Sequence, residues 1–310
     1  MTEIYARTQA RSVAAMGETA LIGHLRRWLG PATPPAPRGI GDDCAVLPKT
    51  RGPGLVTVDP LVYGVHFDRR ITPFEAGSKL MKRNLSDIAA MGGKPTAAVV
   101  ALALEARVAV AWLREFYRGL AAESRRHRVP IVGGDITRLQ DGFVATLTLI
   151  GAAPKRVLTR AGARPGDLIY VTGSLGRSLP TGHHHRFQPR LKEGRWLASR
   201  SAIRSMTDVS DGLAKDLRSL APKGAEARIT PATLPRRDGA DIRAALCDGE
   251  DYELVFSLAA SGDAAALERD WRRSFPRVRL SRIGRIARLG SAMEPGERPL
   301  NSLRGYEHLR

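Results

Sequence analysis

The chain has 310 residues, 43% of them hydrophobic and 26% charged, with a formal net charge of +18 at pH 7. That length and balance describe a folded protein with room for two domains and exclude a disordered or fibrous one. Its two cysteines, Cys44 and Cys247, lie far apart without metal-ligand spacing, which excludes a disulfide framework or a zinc site and fits a reducing, cytoplasmic setting.

Residues 1–15 read as an extension, with Met16 as an alternative start. Glu3, Glu18 and the lack of an apolar core segment argue against a secretion signal. A helix follows, carrying Leu21, Ile22, Leu25, Trp28 and Leu29 at helical spacing. Pro31, Pro34, Pro35 and Pro37 then mark a connector, because proline fixes φ and offers no amide donor. Beyond it the pattern predicts a strand at 55–59, helices at 73–84 and 86–91, a strand at 97–104, a helix at 108–126, and strands at 130–132 and 143–150. The most apolar run, 97–104, stops at Glu105 and is far too short to cross a bilayer, so no membrane span is expected.

A turn at Arg164, Pro165, Gly166 and Asp167 opens a second set. It holds strand 168–172, helix 210–220, strand 227–230, helix 240–246, strand 252–258, helix 264–275 and strand 278–286. Helices and strands mix in both sets, which gives an α/β (α+β) fold class. The expected division is an N-terminal extension and helix (1–30), a domain at 31–152 and a domain at 160–310. The surplus positive charge is arginine scattered along the chain without a basic block or an aromatic-interleaved stripe. It reads as compositional bias and argues against a nucleic-acid partner.

Six times an aspartate stands among small or loop-forming residues near the end of a predicted strand or the start of a helix. These are Gly41-Asp42-Asp43, Val58-Asp59-Pro60, Ser86-Asp87, Gly133-Gly134-Asp135, Asp208-Val209-Ser210-Asp211 and Gly249-Glu250-Asp251. One such run is an ordinary helix cap or turn. Six suggest carboxylates gathered around a cation, and hard oxygen donors with few His or Cys select Mg²⁺ or Mn²⁺ over zinc. Magnesium held by one or two carboxylates takes the rest of its ligands from water and substrate phosphates, which points to phosphate chemistry. There is no Walker loop: Gly92-Gly93-Lys94-Pro95 has proline where the hydroxyl belongs. Nor is there a protein-kinase catalytic loop, so metal ions must neutralise the charge if ATP is used. The triplet His183-His184-His185 is consecutive and its rings cannot all face one ion.

Taken in order, these runs resemble the thiamine-monophosphate kinases of the aminoimidazole-ribonucleotide-synthetase-like superfamily. The match covers Gly39 to Leu47, Val58 to Phe67, Asn84 to Pro95, Gly133 to Asp135, Leu158 to Ala163, Asp208 to Leu213 and Gly249 to Leu254, with Gly305 to His308 near the end. The resemblance implies a two-domain subunit whose N-terminal mixed sheet forms a homodimer and whose C-terminal domain is an α/β sandwich. It implies ATP and Mg²⁺ as cofactors, thiamine monophosphate as partner, and phosphorylation of that substrate to thiamine diphosphate. By motif it assigns metal binding to Asp43, Thr57, Val58, Asp59, Asp87, Asp135, Asp208 and Asp211. It assigns nucleotide contact to Gly134, Asp135, Arg160 and Ser210, and the substrate side to His66, Glu250 and Leu309. Pro60 stands where the family usually has threonine, Tyr63 replaces a commonly acidic residue, and the segment 173–200 is short. Other ATP-using members of the superfamily act on different acceptors, but the reactive terminal cysteine that two of them need is not where Cys44 and Cys247 lie. A basic nucleic-acid-binding protein with a degenerate nucleotide site would have lost key aspartates, and all six are present.

Overall fold

In chain order the elements are α1 (Val13–Met16), α2 (Glu18–Leu29), β1 (Gly54–Val62), α3 (Pro73–Ala90), β2 (Lys94–Glu105), α4 (Val110–His127), β3 (Ile131–Leu139) and β4 (Phe143–Ala152). There follow β5 (Leu168–Thr172), α5 (His183–Arg186), α6 (Leu191–Ala198), β6 (Ile203–Asp208), α7 (Leu213–Leu220), β7 (Ala225–Ile229), α8 (Ile242–Cys247), β8 (Leu254–Leu258), α9 (Ala264–Ser274), β9 (Leu280–Arg288) and β10 (Arg298–Pro299). The structure, a computed structural model, describes residues 3–35, 38–40, 45, 47–48, 52–300 and 303–307. The chain divides into two units, Met1–Leu85 with Pro95–Ala152, and Ser86–Lys94 with Ala153–Arg310.

The first unit holds a four-stranded sheet in the order β1-β4-β2-β3, with β1 antiparallel to β4 and β2 parallel to β3. The pleat of β4 sends Phe143, Ala145, Leu147 and Leu149 inward and leaves Val144, Thr146, Thr148 and Ile150 half-buried. Trp112 and Phe116 of α4 meet Phe143 at ring distances of 4.9 and 5.4 Å, sealing the inner face. Residues 4–14 are part of this unit. Ile4 and Val13 are buried, and backbone bonds tie Ile4, Ala6, Val13 and Ala14 to the turn at 106–109.

Two sequence expectations change here. The predicted helices 73–84 and 86–91 are one continuous helix, α3, so Ser86-Asp87 lies near its C-terminal end and not at a helix start. The Ser86 hydroxyl does not cap anything; it bonds a carboxylate of the second unit's sheet. Strand 130–132 also extends into β3, which carries Gly133, Gly134 and Asp135 inside the strand, opposite Val99, Val100 and Ala101. A Cβ on Gly134 would lie 2.1 Å from the Val100 carbonyl oxygen, so glycine is demanded by close strand contact, not by a turn.

In the second unit a six-stranded sheet runs β10-β7-β9-β5-β8-β6, and its strand pairs are antiparallel. Alternate residues of β5 feed two cores. Ile169 and Val171 pack with Leu213 and Leu217 of α7 and Leu246 of α8. Tyr170 packs on the other side with Leu197 of α6 and Leu267 and Trp271 of α9. Helices therefore cover both faces, an α/β sandwich as the resemblance implied. Among the described residues no helix is long and apolar enough to cross a membrane.

Candidate active site

The acidic loop of the second unit begins where β6 ends. Asp208 is buried and accepts a 2.7 Å hydrogen bond from the Ser86 hydroxyl, which places Asp87 beside the same loop. The chain then turns through Val209, Ser210, Asp211 and Gly212 into α7. One turn into that helix, the Asp216 carboxylate reaches back and accepts the backbone N–H groups of Ser210 and Asp211, both at 3.1 Å. Burial, and then the neighbouring charges of Asp208 and Asp211, push the Asp216 carboxyl up to about 7. Asp211 receives the Lys215 ammonium at 2.6 Å, while its backbone carbonyl accepts the Tyr306 N–H, docking the C-terminal segment on this loop.

A second loop is stitched to the first. Ser210 O accepts Glu250 N at 2.7 Å, and Val209 O accepts Tyr252 N at 2.8 Å. Gly249 has φ +72°, and a Cβ there would come 2.8 Å from the Ser210 carbonyl oxygen. Glu250 and Tyr252 hold positive φ values of 55° and 51° without being glycine, strain of the kind that persists where surrounding bonds over-determine the backbone. Between them Asp251 points the other way. It is buried, accepts Ser178 Oγ, Gly176 N and Arg237, and so is a structural anchor and not a solvated turn charge. Glu250 itself accepts the Tyr252 hydroxyl at 3.4 Å and stands 3.6 Å from His184 Nδ1, and the Tyr252 ring stacks on Phe187 at 4.1 Å. The three histidines take separate partners: His183 bonds the Asp251 carbonyl, His184 faces Glu250, and His185 bonds His184. Arg160 is bonded through Nε to Thr207 Oγ1 at 3.2 Å, next to Asp208.

The first unit holds the remaining predicted residues. Thr57 and Asp59 lie half-buried in the middle of β1, and Val58 points outward, 57% exposed. Arg83 of α3 donates to the Pro60 carbonyl at 2.8 Å and approaches Asp59 Oδ1 at 3.4 Å, a partner for Asp59 that no motif indicated. His66 is buried in the turn after β1. Its Nδ1 accepts Val62 N at 3.1 Å, which leaves the proton on Nε2, and its carbonyl accepts Lys79 Nζ at 2.7 Å. Gly134 and Asp135 are exposed on β3 and border a cleft of about 500 Å³ walled by Ile22 and Leu25 of α2, Val100 of β2 and Tyr117 of α4. That size and apolar lining with a few polar groups is usual for small-molecule pockets.

The loops thus bring Asp208, Ser210, Asp211 and Glu250 together, with Asp87 and Arg160 adjoining. Asp59 and Asp135, by contrast, occupy the two edge strands of the first sheet with β4 and β2 between them, about 14 Å at ~4.8 Å per strand. Asp43 and Leu309 lie outside the described residues. Among the described residues no three acidic, histidine or cysteine side chains converge to hold a metal ion on their own. The donors in the acidic loop are carboxylate and hydroxyl oxygens, a set that fits Mg²⁺ completed by water and phosphate.

Residues 41–153 match the family of AIR synthase related proteins, N-terminal domain. The chain is 34% identical over 270 residues to thiamine-monophosphate kinase of Rhodopirellula baltica, covering 80% of this chain and 83% of that protein. It superposes on the crystal structure of thiamine-monophosphate kinase from Stenotrophomonas maltophilia with a TM-score of 0.73 and 30% identity, covering 89% of this chain and 96% of that one. A second solved structure, AaThiL complexed with AMPPCP and TMP, gives a TM-score of 0.67 at 27% identity, covering 93% of this chain and 98% of that one.

Proposed function

The chain belongs to the thiamine-monophosphate kinase family, and from that premise we propose that it transfers the γ-phosphoryl group of ATP to thiamine monophosphate, forming thiamine diphosphate and ADP. The observation that carries the reading is the locked pair of loops at 208–212 and 249–253, where Asp208, Ser210 and Asp211 are fixed by backbone bonds beside Glu250. Such preorganisation suits a reaction whose catalysis consists mainly of positioning and charge stabilisation.

Asp87, Asp208 and Asp211 in the second unit, and Asp43, Thr57, Val58, Asp59 and Asp135 in the first, would hold Mg²⁺ ions, Asp59 and Asp135 different ones because two strands lie between them. Such ions would screen the phosphates from one another and stabilise charge on the transferred group. Gly134, Asp135, Arg160 and Ser210 contact the nucleotide. The cleft beside Gly134 supports this role, its apolar walls suiting a flat heterocycle. On the substrate side, Glu250 offers a carboxylate to a cationic ring, and His66 lies on that side by its place in the motif. Leu309 belongs to the same side.

The acceptor phosphate, with a second pKa near ~6, is already largely dianionic at neutral pH, so no general base is required. Transfer is direct and in line. The bond from the γ-phosphorus to the bridging oxygen breaks as a bond to the acceptor phosphate oxygen forms. The first unit's sheet supports a homodimer, since Val56 and Val58 of β1 are 73% and 57% exposed on its outer face. The reaction takes place in the cytoplasm.

The test is product analysis with purified protein and ATP, offering thiamine monophosphate or free thiamine, with and without Mg²⁺. Thiamine diphosphate is expected only from the monophosphate with metal present. ATP binding without diphosphate formation would redirect the reading to another phosphorylated acceptor.

A further inference from the structure

Residues 4–14, which no motif accounts for, dock beside the turn that carries His66. Four backbone bonds hold them: Ala109 N to Ile4 O at 2.7 Å, Ala6 N to Arg107 O at 2.8 Å, Val13 N to Val108 O at 2.9 Å and Ala14 N to Ala106 O at 3.2 Å. Bridges pair Tyr5 with Val108 and Ser12 with Ala109. Ile4, Ser12 and Val13 are buried, so the segment is anchored at both ends.

Between those anchors Tyr5 sits against the turn that follows β1. Its ring meets Tyr63 edge to face at 6.5 Å and 82°. Tyr63 in turn meets Phe67 at 5.3 Å and 69°, and Phe67 stacks on Trp112 in the core at 6.0 Å. The Arg107 guanidinium lies 5.3 Å from the Tyr5 ring centre. The turn itself closes on Gly64 N to Phe67 O at 2.8 Å and His66 N to Val62 O at 2.9 Å, with His66 standing between the two aromatic residues.

We propose that the N-terminal segment is a positioning element for the acceptor side of the reaction: Tyr5, packed on Tyr63, braces the 62–67 turn and holds His66 in place. This rests on the reading of His66 as a substrate contact. Tyr5 touches no substrate; it acts through Tyr63 and the turn. An aromatic pair of this kind corresponds to roughly a two- to tenfold effect on an equilibrium constant.

The experiment compares wild type, Tyr5→Ala and Tyr5→Phe by hydrogen exchange of the 62–67 amides and by steady-state kinetics. Tyr5→Ala is expected to speed exchange of these amides and raise KM for thiamine monophosphate by roughly two- to tenfold, with KM for ATP and kcat unchanged. Tyr5→Phe keeps the ring and is expected to behave as wild type. The proposal is overturned if exchange is unaltered in Tyr5→Ala, if both KM values rise together, or if Tyr5→Phe fails to restore the wild-type value. Exchange needs no turnover. A wild-type protein inert toward thiamine monophosphate therefore overturns the functional reading, while exchange still decides whether Tyr5 braces the turn.

Discussion

Asp216 acts on the acidic loop through the backbone. It is mostly buried and accepts two amides that would otherwise have no partner within their own turn, fixing the carbonyls and side chains of Ser210 and Asp211. Asp216→Ala is expected to cost about 1–3 kcal/mol, since two part-buried amides each lose a hydrogen bond worth ~0.5–1.5 kcal/mol. Urea denaturation reads this, and a change under about 0.5 kcal/mol would contradict it. Asp87→Asn is expected to fold normally, by circular dichroism, and to lose at least ~100-fold in turnover through the lost metal-ligand charge; a fully active variant would remove Asp87 from the mechanism. Asp251 gives a pH signature. Burial pushes its carboxyl up to about 6, against 3.8 when exposed, so between those values the folded state binds the extra proton. Its contribution is fully present below pH 3.8 and is lost as pH rises through about 6. Asp251→Asn is expected to show a flatter fall of stability over that window than wild type, measured by denaturation at several pH values. Asp216 did not stand out in the sequence, and Asp251 stood out only as one of six aspartates gathered toward a cation, because a carboxylate that bonds distant groups cannot be told from other loop carboxylates until the fold brings its partners to it.

At the level of elements, the two stitched loops demand glycine at 249, as at 212. Gly249→Ala forces a Cβ toward the Ser210 carbonyl and a positive φ on alanine, and is expected to cost more than about 1 kcal/mol in thermal unfolding. Most of this architecture was legible. The alternating pattern located β1, β2, β4, β5, α4, α7 and α9, and the turn before Leu168 marked the second set of elements. What misled was local chemistry with two readings. Ser86-Asp87 has the composition of a helix start, yet Asn84 and Leu85 are buried inside α3 and the helix runs on through them. Gly133 and Gly134 look like a turn, yet they lie inside β3 opposite Val99 and Val100, where a Cβ on Gly134 would meet the Val100 backbone. The short helices α5 and α6 and the strand β6 fell in the segment 173–208, where proline, arginine and histidine obscure periodicity. Arg83 beside Asp59 was likewise hidden, since only the crossing of α3 and β1 pairs them.

For the molecule as a whole, the outer face of the first sheet sets an expectation about assembly. In the proposed homodimer Val58→Lys puts a charge on the exposed face of β1, and is expected to give a monomer in sedimentation analysis where the wild type gives a dimer. An unchanged dimer would place the interface elsewhere. The family resemblance rested on the order of many short runs, and that order carried the fold as well as the chemistry. The positions of Asp59 and Asp135 on opposite edges of one sheet could not be read from their motifs, because strand order is set by tertiary pairing. The proposed reaction is direct transfer from ATP to a phosphorylated acceptor. Its sharpest test follows label from [γ-³²P]ATP in a single turnover with thiamine monophosphate and Mg²⁺, quenched and resolved into protein and small molecules. Label passing to the terminal phosphate of thiamine diphosphate, with none retained on protein, is the expected result. Label trapped on the protein, or released only as inorganic phosphate, would contradict direct transfer.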